Sequence, residues 1–324
     1  MKTGEPLQVG PLSALPGTKV RGFLPVNGPG YQINMPLTVI RSKNDGPVVG
    51  VTAGVHGAEY PGIIAAVQLA HDLKPDDLSR GAVVIVSIVN VPAFFGRATY
   101  INPLDGLNLN RTYPGKPTGT ISEQMVHEHH KNVILSCDYF IDLHGGDMVE
   151  AILPFVLYFK SGNVEQDTVA RKMANVYGIP RVLEGTVPGS GYAAAALAGK
   201  PAIIAEAGGQ GLLDPQDLAF HVNGVKNILS LLGVMPLKAG EVKLLPNLKM
   251  VWHSSSRRGI FLPRIKCGDP VVKGQSIGKL VDVFGDDLED VVSQASGEVL
   301  FVVTCPPVNQ GDALFAVLTE GESS

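Results

Sequence analysis

Cysteine is scarce. The chain has three in 324 residues, Cys137, Cys267 and Cys305, far apart and in no C-x-x-C spacing, which excludes a disulfide scaffold or a cysteine-ligated metal module. Long apolar runs are missing too. No stretch of about eighteen apolar residues is present to span a bilayer, and the opening MKTGEPLQVGPLSALPGTKVRGF lacks the apolar segment of a signal peptide. The expectation is a cytoplasmic protein with no membrane partner. Charge is sparse: 26 Lys+Arg against 30 Asp+Glu leave a net charge of -4, so no basic field exists to hold nucleic-acid phosphates. What is abundant is glycine and proline, 38 and 24 residues, implying many tight turns and short strands rather than long helical rods. With 45% hydrophobic residues in a chain this long, a sizeable core forms and disorder is excluded as the main state.

Residues 1–45 read as short β-like pieces, such as Leu37-Thr38-Val39-Ile40, forming a β edge. From Gly46 the pattern becomes apolar strand, glycine, helix. PVVGVTAGVHG is a buried strand, and PGIIAAVQLAHDL is a helix opened by Pro61. GAVVIVSIVN (81–90) and DYFIDLHGG (138–146) are further strands, with a helix at 121–136 that Ser122 is placed to cap. PFVLYF, a helix over DTVARKMANVYG, KPAIIAEAGG (200–209) and a closing helix follow. Continuous Val/Ile/Leu strands alternating with helices predict an α/β fold, a mostly parallel mixed sheet flanked by helices. After about Val234 helical patterns stop, and 241–324 reads as a smaller all-β sandwich or barrel of glycine-broken hairpins. The expected domains are therefore 1–240 and 241–324.

Chemistry gathers at the strand ends. His56 and Glu59 stand three residues apart just after VVGVTAG, a spacing at which imidazole and carboxylate converge on one ion. His144 ends a second strand and is followed by two glycines. A close pair plus one distant histidine fits catalytic zinc, which takes three protein ligands and leaves a position for water. The alternative is that these are ordinary polar residues in loops. Asp142, two residues before His144, points to the same face of its strand and is a candidate acceptor near the site. Asn110 and Arg111 form a planar donor set suited to a carboxylate, the alternative being a loop staple from Arg111 to Asp105. Glu206 is the lone acid at the end of the apolar strand around Ile203-Ile204-Ala205. Burying it is costly unless it meets a cation or a proton donor, so it is a natural general base or else a salt-bridged structural acid.

The order His56-x-x-Glu59, Asn108-Leu-Asn-Arg111 with Tyr113-Pro114-Gly115, Asp142-Leu-His144 and Ile204-Ala-Glu206-Ala-Gly-Gly resembles the succinylglutamate desuccinylase/aspartoacylase family, relatives of the zinc carboxypeptidases that also carry a C-terminal β domain. The resemblance implies that His56, Glu59 and His144 bind one zinc ion, that Glu206 is the base and later the proton donor, and that Asn110 and Arg111 hold a substrate carboxylate. It implies that Arg97 polarises the scissile carbonyl. It further implies hydrolysis of an N-acyl amino acid, the small-molecule partner expected here. A carboxypeptidase acting on short peptides shares the same zinc site, and a catalytically inactive binding protein is the non-enzyme reading.

The run His127-Glu128-His129-His130 reads as a solvated or interface face rather than a metal site. His71, His221 and His253 belong to no pattern. The hairpins at Gly268-Asp269-Pro270 and Gly297-Glu298-Val299 resemble biotinyl/lipoyl carrier domains. The stretch Phe284-Gly285-Asp286-Asp287-Leu288-Glu289-Asp290-Val291, however, lacks the lysine a carrier modifies. This region is left to shape the rim of the site or a contact between copies in a homo-oligomer.

Overall fold

The strands Val48–Ala53 (VVGVTA) and Ala82–Val86 (AVVIV) are buried at every position, as strands covered by helices on both faces must be. The computed structural model describes residues 5–28, 30–236 and 244–320. Among these, the main sheet has 13 strands. Val48–Ala53 lies between Ala82–Val86 and Tyr139–His144, parallel to both, and Ala202–Glu206 runs parallel to Tyr139–His144. Away from this parallel centre the sheet turns mixed, because Phe155–Tyr158 is antiparallel to Ala202–Glu206.

The N-terminal edge differs from the short pieces expected. Lys19–Gly28 and Tyr31–Arg41 are strands of 10 and 11 residues in unbroken antiparallel register. Their prolines do not interrupt it because Pro25 lies on the outer strand and Pro36 falls one residue before the ladder to Ala82–Val86 begins at Leu37. Neither position has to donate to a second neighbour.

Helices Tyr60–Asp72, Val164–Val176 and Pro215–Leu231 cover one face, sharing a core with Val49, Val51, Ile141 and Ile203. Ile121–Asn132 and Gly191–Leu197 cover the other, over Phe140 and Ile204. Ser122 does not cap Ile121–Asn132. Thr120 does, in a capping box with Glu123, while Ser122 bonds Asp105, because the helix starts two residues earlier than Ser122 would require. No described helix is long and apolar enough to cross a membrane.

No helix follows Leu231 among the described residues. The expected boundary near residue 240 lies outside the described residues. Leu248–Ser254, Ala313–Glu320 and Gly297–Val303 extend the main sheet through a single parallel pair, Leu183 with Leu248. Gly259–Pro263, Ser276–Val281, Asp287–Val292 and Pro307–Val308 form a separate four-stranded sheet. Phe261, Ile277 and Leu280 of that sheet share a core with Val299, Phe301 and Phe315 of the larger one. Two further links tie this region to the helix-covered part. Glu150–Ile152 pairs with Gly297–Val303, and Arg181 donates two hydrogen bonds to the carboxylate of Glu298.

Candidate active site and metal centre

Parallel strands present their carboxyl ends along one edge, where an open α/β sheet binds ligands. Here Val48–Ala53 leads into the turn carrying His56, Tyr139–His144 ends on His144, and Ala202–Glu206 ends on Glu206. Register puts Glu206 directly beside His144. Glu59 occupies the N-cap position of Tyr60–Asp72 but does not cap it with its side chain. Instead its carboxylate reaches both histidines: Nδ1 of His56 lies 2.6 Å from Oε1, and Nδ1 of His144 lies 2.8 Å from Oε2. The backbone N–H of Gly145 also donates to Oε2, at 3.2 Å.

His56, Glu59 and His144 are all buried, and their ligand atoms lie within 4.8 Å of one another. Burial opposes the charge of Glu59, but the imidazoles, His56 foremost, outweigh it and hold the carboxyl down to about 2. Burial likewise opposes protonation of the histidines, and Glu59 reverses this, raising both. The mutual attraction of one carboxylate and two imidazoles marks a place suited to a divalent cation. The remote nitrogens suit that use. Nε2 of His56 lies 3.1 Å from Oδ1 of Asn108. Nε2 of His144 has no hydrogen-bond partner among the described residues, and Oδ2 of Asp142, equally without a donor, lies 3.5 Å from it. An imidazole that meets a metal through one nitrogen and an acceptor through the other is the usual arrangement around a bound ion. The residues fit a metal.

The cluster opens into a cavity of about 440 Å³, whose wall includes His56, Glu59, Asn110, Arg111 and Glu206. Glu206 is enclosed by protein but faces this interior. Burial, countered by His144 and reinforced by Glu59, pushes its carboxyl well above the usual range. Asn110 is buried and accepts the backbone N–H of Gly191, whereas Arg111 is exposed and makes no ion pair among the described residues. The Arg111–Asp105 staple is not formed, since Asp105 accepts from Ser122 and Leu107. Arg97 is not brought to the cavity wall. It is exposed, in left-handed conformation (φ 51°), at the end of Val91–Gly96.

Several lining residues had no sequence signal. Tyr100, Glu150 and Glu184 stand in no recognisable motif, and Met250, Trp252 and Phe301 come from the C-terminal strands. Asn108 did carry a signal, its place two residues before Asn110, and it also accepts the backbone N–H of Asn110.

The histidine run is not a solvated face throughout. His129 is fully buried and bridges Thr52 and Tyr113, at 3.1 and 2.9 Å. Its helix buries Ser122, Met125, Val126 and His129 on one stripe, the 3.6-residue period that turns position 129 inward. Burial lowers His129 to about 3, so it stays neutral. His221 is likewise spent, its ring nitrogens at 3.0 Å from the Tyr177 hydroxyl and 3.2 Å from the Ala207 carbonyl.

The turn bearing His56 depends on a missing side chain. A Cβ on Gly57 would collide with the backbone of Ala93 and Phe94. Gly57→Ala is therefore expected to cost about 1–3 kcal/mol of stability, read as a lowered urea midpoint at unchanged slope.

The model of the succinylglutamate desuccinylase/aspartoacylase catalytic domain matches residues 45–232. The N-alpha-acetyl-L-2,4-diaminobutyric acid deacetylase of Halomonas elongata is 30% identical over 303 residues, covering 89% of this chain and 86% of that protein. Two solved structures share the fold at 24% identity. One is a succinylglutamate desuccinylase/aspartoacylase from Rhodobacter sphaeroides (TM-score 0.83, covering 94% of this chain and 96% of that one). The other is the product-bound ectoine utilization protein EutE (DoeB) from Ruegeria pomeroyi (TM-score 0.85, covering 98% and 100%).

Proposed function

The chain belongs to the succinylglutamate desuccinylase/aspartoacylase family, and on that premise we propose that it is a zinc-dependent hydrolase removing the acyl group from a small N-acyl amino acid. The observation that carries this reading is the register of Glu206 against His144. It stands an acid outside the ligand set beside the metal-competent cluster, in one cavity with the Arg111 guanidinium.

His56, Glu59 and His144 would hold the zinc, which would supply Lewis acidity and lower the pKa of the attacking water. Glu206 accepts a proton from the attacking water and holds it on its carboxyl. It then delivers that proton to the leaving nitrogen as the C–N bond breaks. Water's hydroxyl thus ends on the acyl carbon and its hydrogen on the amine, giving one carboxylate and one amino acid. Asn110 and Arg111 hold the substrate's carboxylate and align the amide. From its exposed place, Arg97 would have to swing its guanidinium into the cavity to stabilise the oxyanion.

The volume suits one acylated amino acid, and Met250, Trp252 and Phe301 wall one side, which argues against long peptides. Release of free amine from a panel of N-acetyl and N-succinyl amino acids, set against short peptides, tests the reading. Hydrolysis of the acyl amino acids supports it, and faster cleavage of peptides overturns it in favour of a carboxypeptidase. Arg111→Ala is expected to raise KM about 10- to 100-fold with a smaller change in kcat, because a charge-assisted hydrogen bond to the bound carboxylate is lost in ground and transition state alike.

A further inference from the structure

We propose that the acyl group this cavity is shaped for is a bulky, uncharged, apolar one, a medium-length aliphatic chain or an aromatic ring, rather than acetyl or succinyl. This inference deepens the deacylase reading of the same cavity and rests on it.

Strand register lays an apolar row beside the reacting groups. His144, Glu206 and Phe155 are direct neighbours across three adjacent strands, so Glu206 has the metal-competent cluster on one side and an aromatic ring on the other. Two residues further along the same strands, and therefore on the same face, Ile204 stands opposite Leu157, and Leu157 beside Leu183 of the next strand. Leu183 registers in turn with Leu248, from which Met250 and Trp252 follow at alternate positions. Phe155, Leu157, Leu183 and Ile204 are buried, yet all four lie on the cavity wall with Met250 and Trp252. Phe301 extends the row, its ring edge-on to Trp252 at 5.1 Å between centroids.

Size is the first reason to assign this row to a large acyl group. The cavity of about 440 Å³ falls in the range of about 300–1,000 Å³ that takes drug-sized ligands. An acetyl group ends in a single methyl and would leave the row from Leu157 to Trp252 facing water. Covering it with hydrocarbon strengthens binding about fourfold for each methylene buried.

Charge is the second reason. Arg111 is the one lysine or arginine side chain on the wall, which also carries the carboxylates of Glu59, Glu150, Glu184 and Glu206. With Arg111 engaged by the carboxylate of the amino acid, a succinyl group would bring a second carboxylate to a wall that offers like charge and no further cation.

Direction is the third. Arg111 is exposed, so the carboxylate it holds stays near the mouth, and that carboxylate sits on the carbon next to the amide nitrogen. The amino-acid half is thereby kept outward, and the acyl half extends past the cluster onto the buried row.

The test uses the full chain supplied with zinc and two series of substrates. In the first, acetyl, butanoyl, hexanoyl, benzoyl and succinyl groups are carried on the α-nitrogen of glycine, aspartate and 2,4-diaminobutyrate. In the second, the acyl group stays acetyl and the amino acid is alanine, leucine or phenylalanine. In the first series kcat/KM is expected to rise from acetyl to hexanoyl by about 100-fold, with benzoyl also above acetyl and succinyl lowest, while the second stays nearly flat. Met250→Arg, which places a cation on the row, is expected to raise the succinyl-to-hexanoyl ratio at least about 10-fold, a gain that a misfolded chain cannot give. Trp252, the single tryptophan of the chain and 48% exposed, supplies a readout without turnover. In the Glu206→Gln chain, N-hexanoylglycine is expected to shift its emission to the blue and N-acetylglycine to leave it near the free value. Fastest turnover of acetyl or succinyl compounds, a rise across the second series equal to that across the first, or emission that hexanoyl does not move overturns the apolar acyl assignment and leaves the deacylase reading standing. No hydrolysis of any member of either series overturns both.

Discussion

Glu206→Gln is expected to lower kcat for amide hydrolysis by about 10³- to 10⁴-fold, the range of a positioned acid–base group that serves in both halves of a reaction. The amide of glutamine nearly matches the carboxyl in size, so packing at the end of Ala202–Glu206 is preserved. What it lacks is the ability to accept a proton from water and hand it to the leaving nitrogen. Because Glu206 lies outside the convergent set of His56, Glu59 and His144, the variant is also expected to retain metal at wild-type stoichiometry. Metal analysis and single-turnover kinetics on the same sample separate this outcome from simple site collapse. A variant that hydrolyses at the wild-type rate with its metal in place would remove Glu206 from the mechanism.

The second large effect concerns Glu59, whose carboxylate touches both histidines. Glu59→Gln keeps the volume but removes the negative charge that makes the cluster attractive to a divalent ion. Bound zinc is expected to fall to a small fraction per chain after dialysis, and hydrolysis to fall at least about 1,000-fold. Thermal unfolding provides a readout that does not need turnover. Zinc at about 1,000 times its Kd should stabilise the wild-type chain by about 4 kcal/mol through mass action, and the variant should show little of this shift. Chelation of the wild-type protein should abolish activity, with recovery on adding zinc. Full activity in the presence of chelator would exclude the metal-dependent reading.

Legibility in the sequence followed the range of the interactions involved. The runs around Val49-Gly50-Val51 and Ile203-Ile204-Ala205 showed their identity as buried strands, since continuous burial leaves no polar alternation. His56 and Glu59 were readable as a pair because three residues within one turn fix their proximity. His129 departs from the solvated or interface face expected of its run because it falls on the stripe Ser122, Met125, Val126 and His129, a pattern the sequence does contain. Ser122 was likewise displaced as a cap by Thr120, whose box partner Glu123 is three residues on.

Other features had no local signal. Glu150 looks like any surface acid until Gly297–Val303, far along the chain, pairs beside it and Tyr100 bends back to meet it. Arg97 and Arg111 are both exposed arginines, yet only Arg111 reaches the cavity wall, Arg111 ending the short turn Leu109–Arg111 and Arg97 the helix Val91–Gly96.

By itself, the sequence determined the alternation of apolar strands with helices, the absence of a carrier lysine over 284–291, and which residue types are available to hold a metal and move a proton. These are properties of composition and short spacing, set within one strand or one turn. The tertiary structure alone decided that Glu206 registers beside His144, that Asn108 and Asp142 stand behind His56 and His144, and that the C-terminal strands line the cavity and pair beside Glu150. Those relations join residues distant along the chain, and strand register and side-chain packing set their separations.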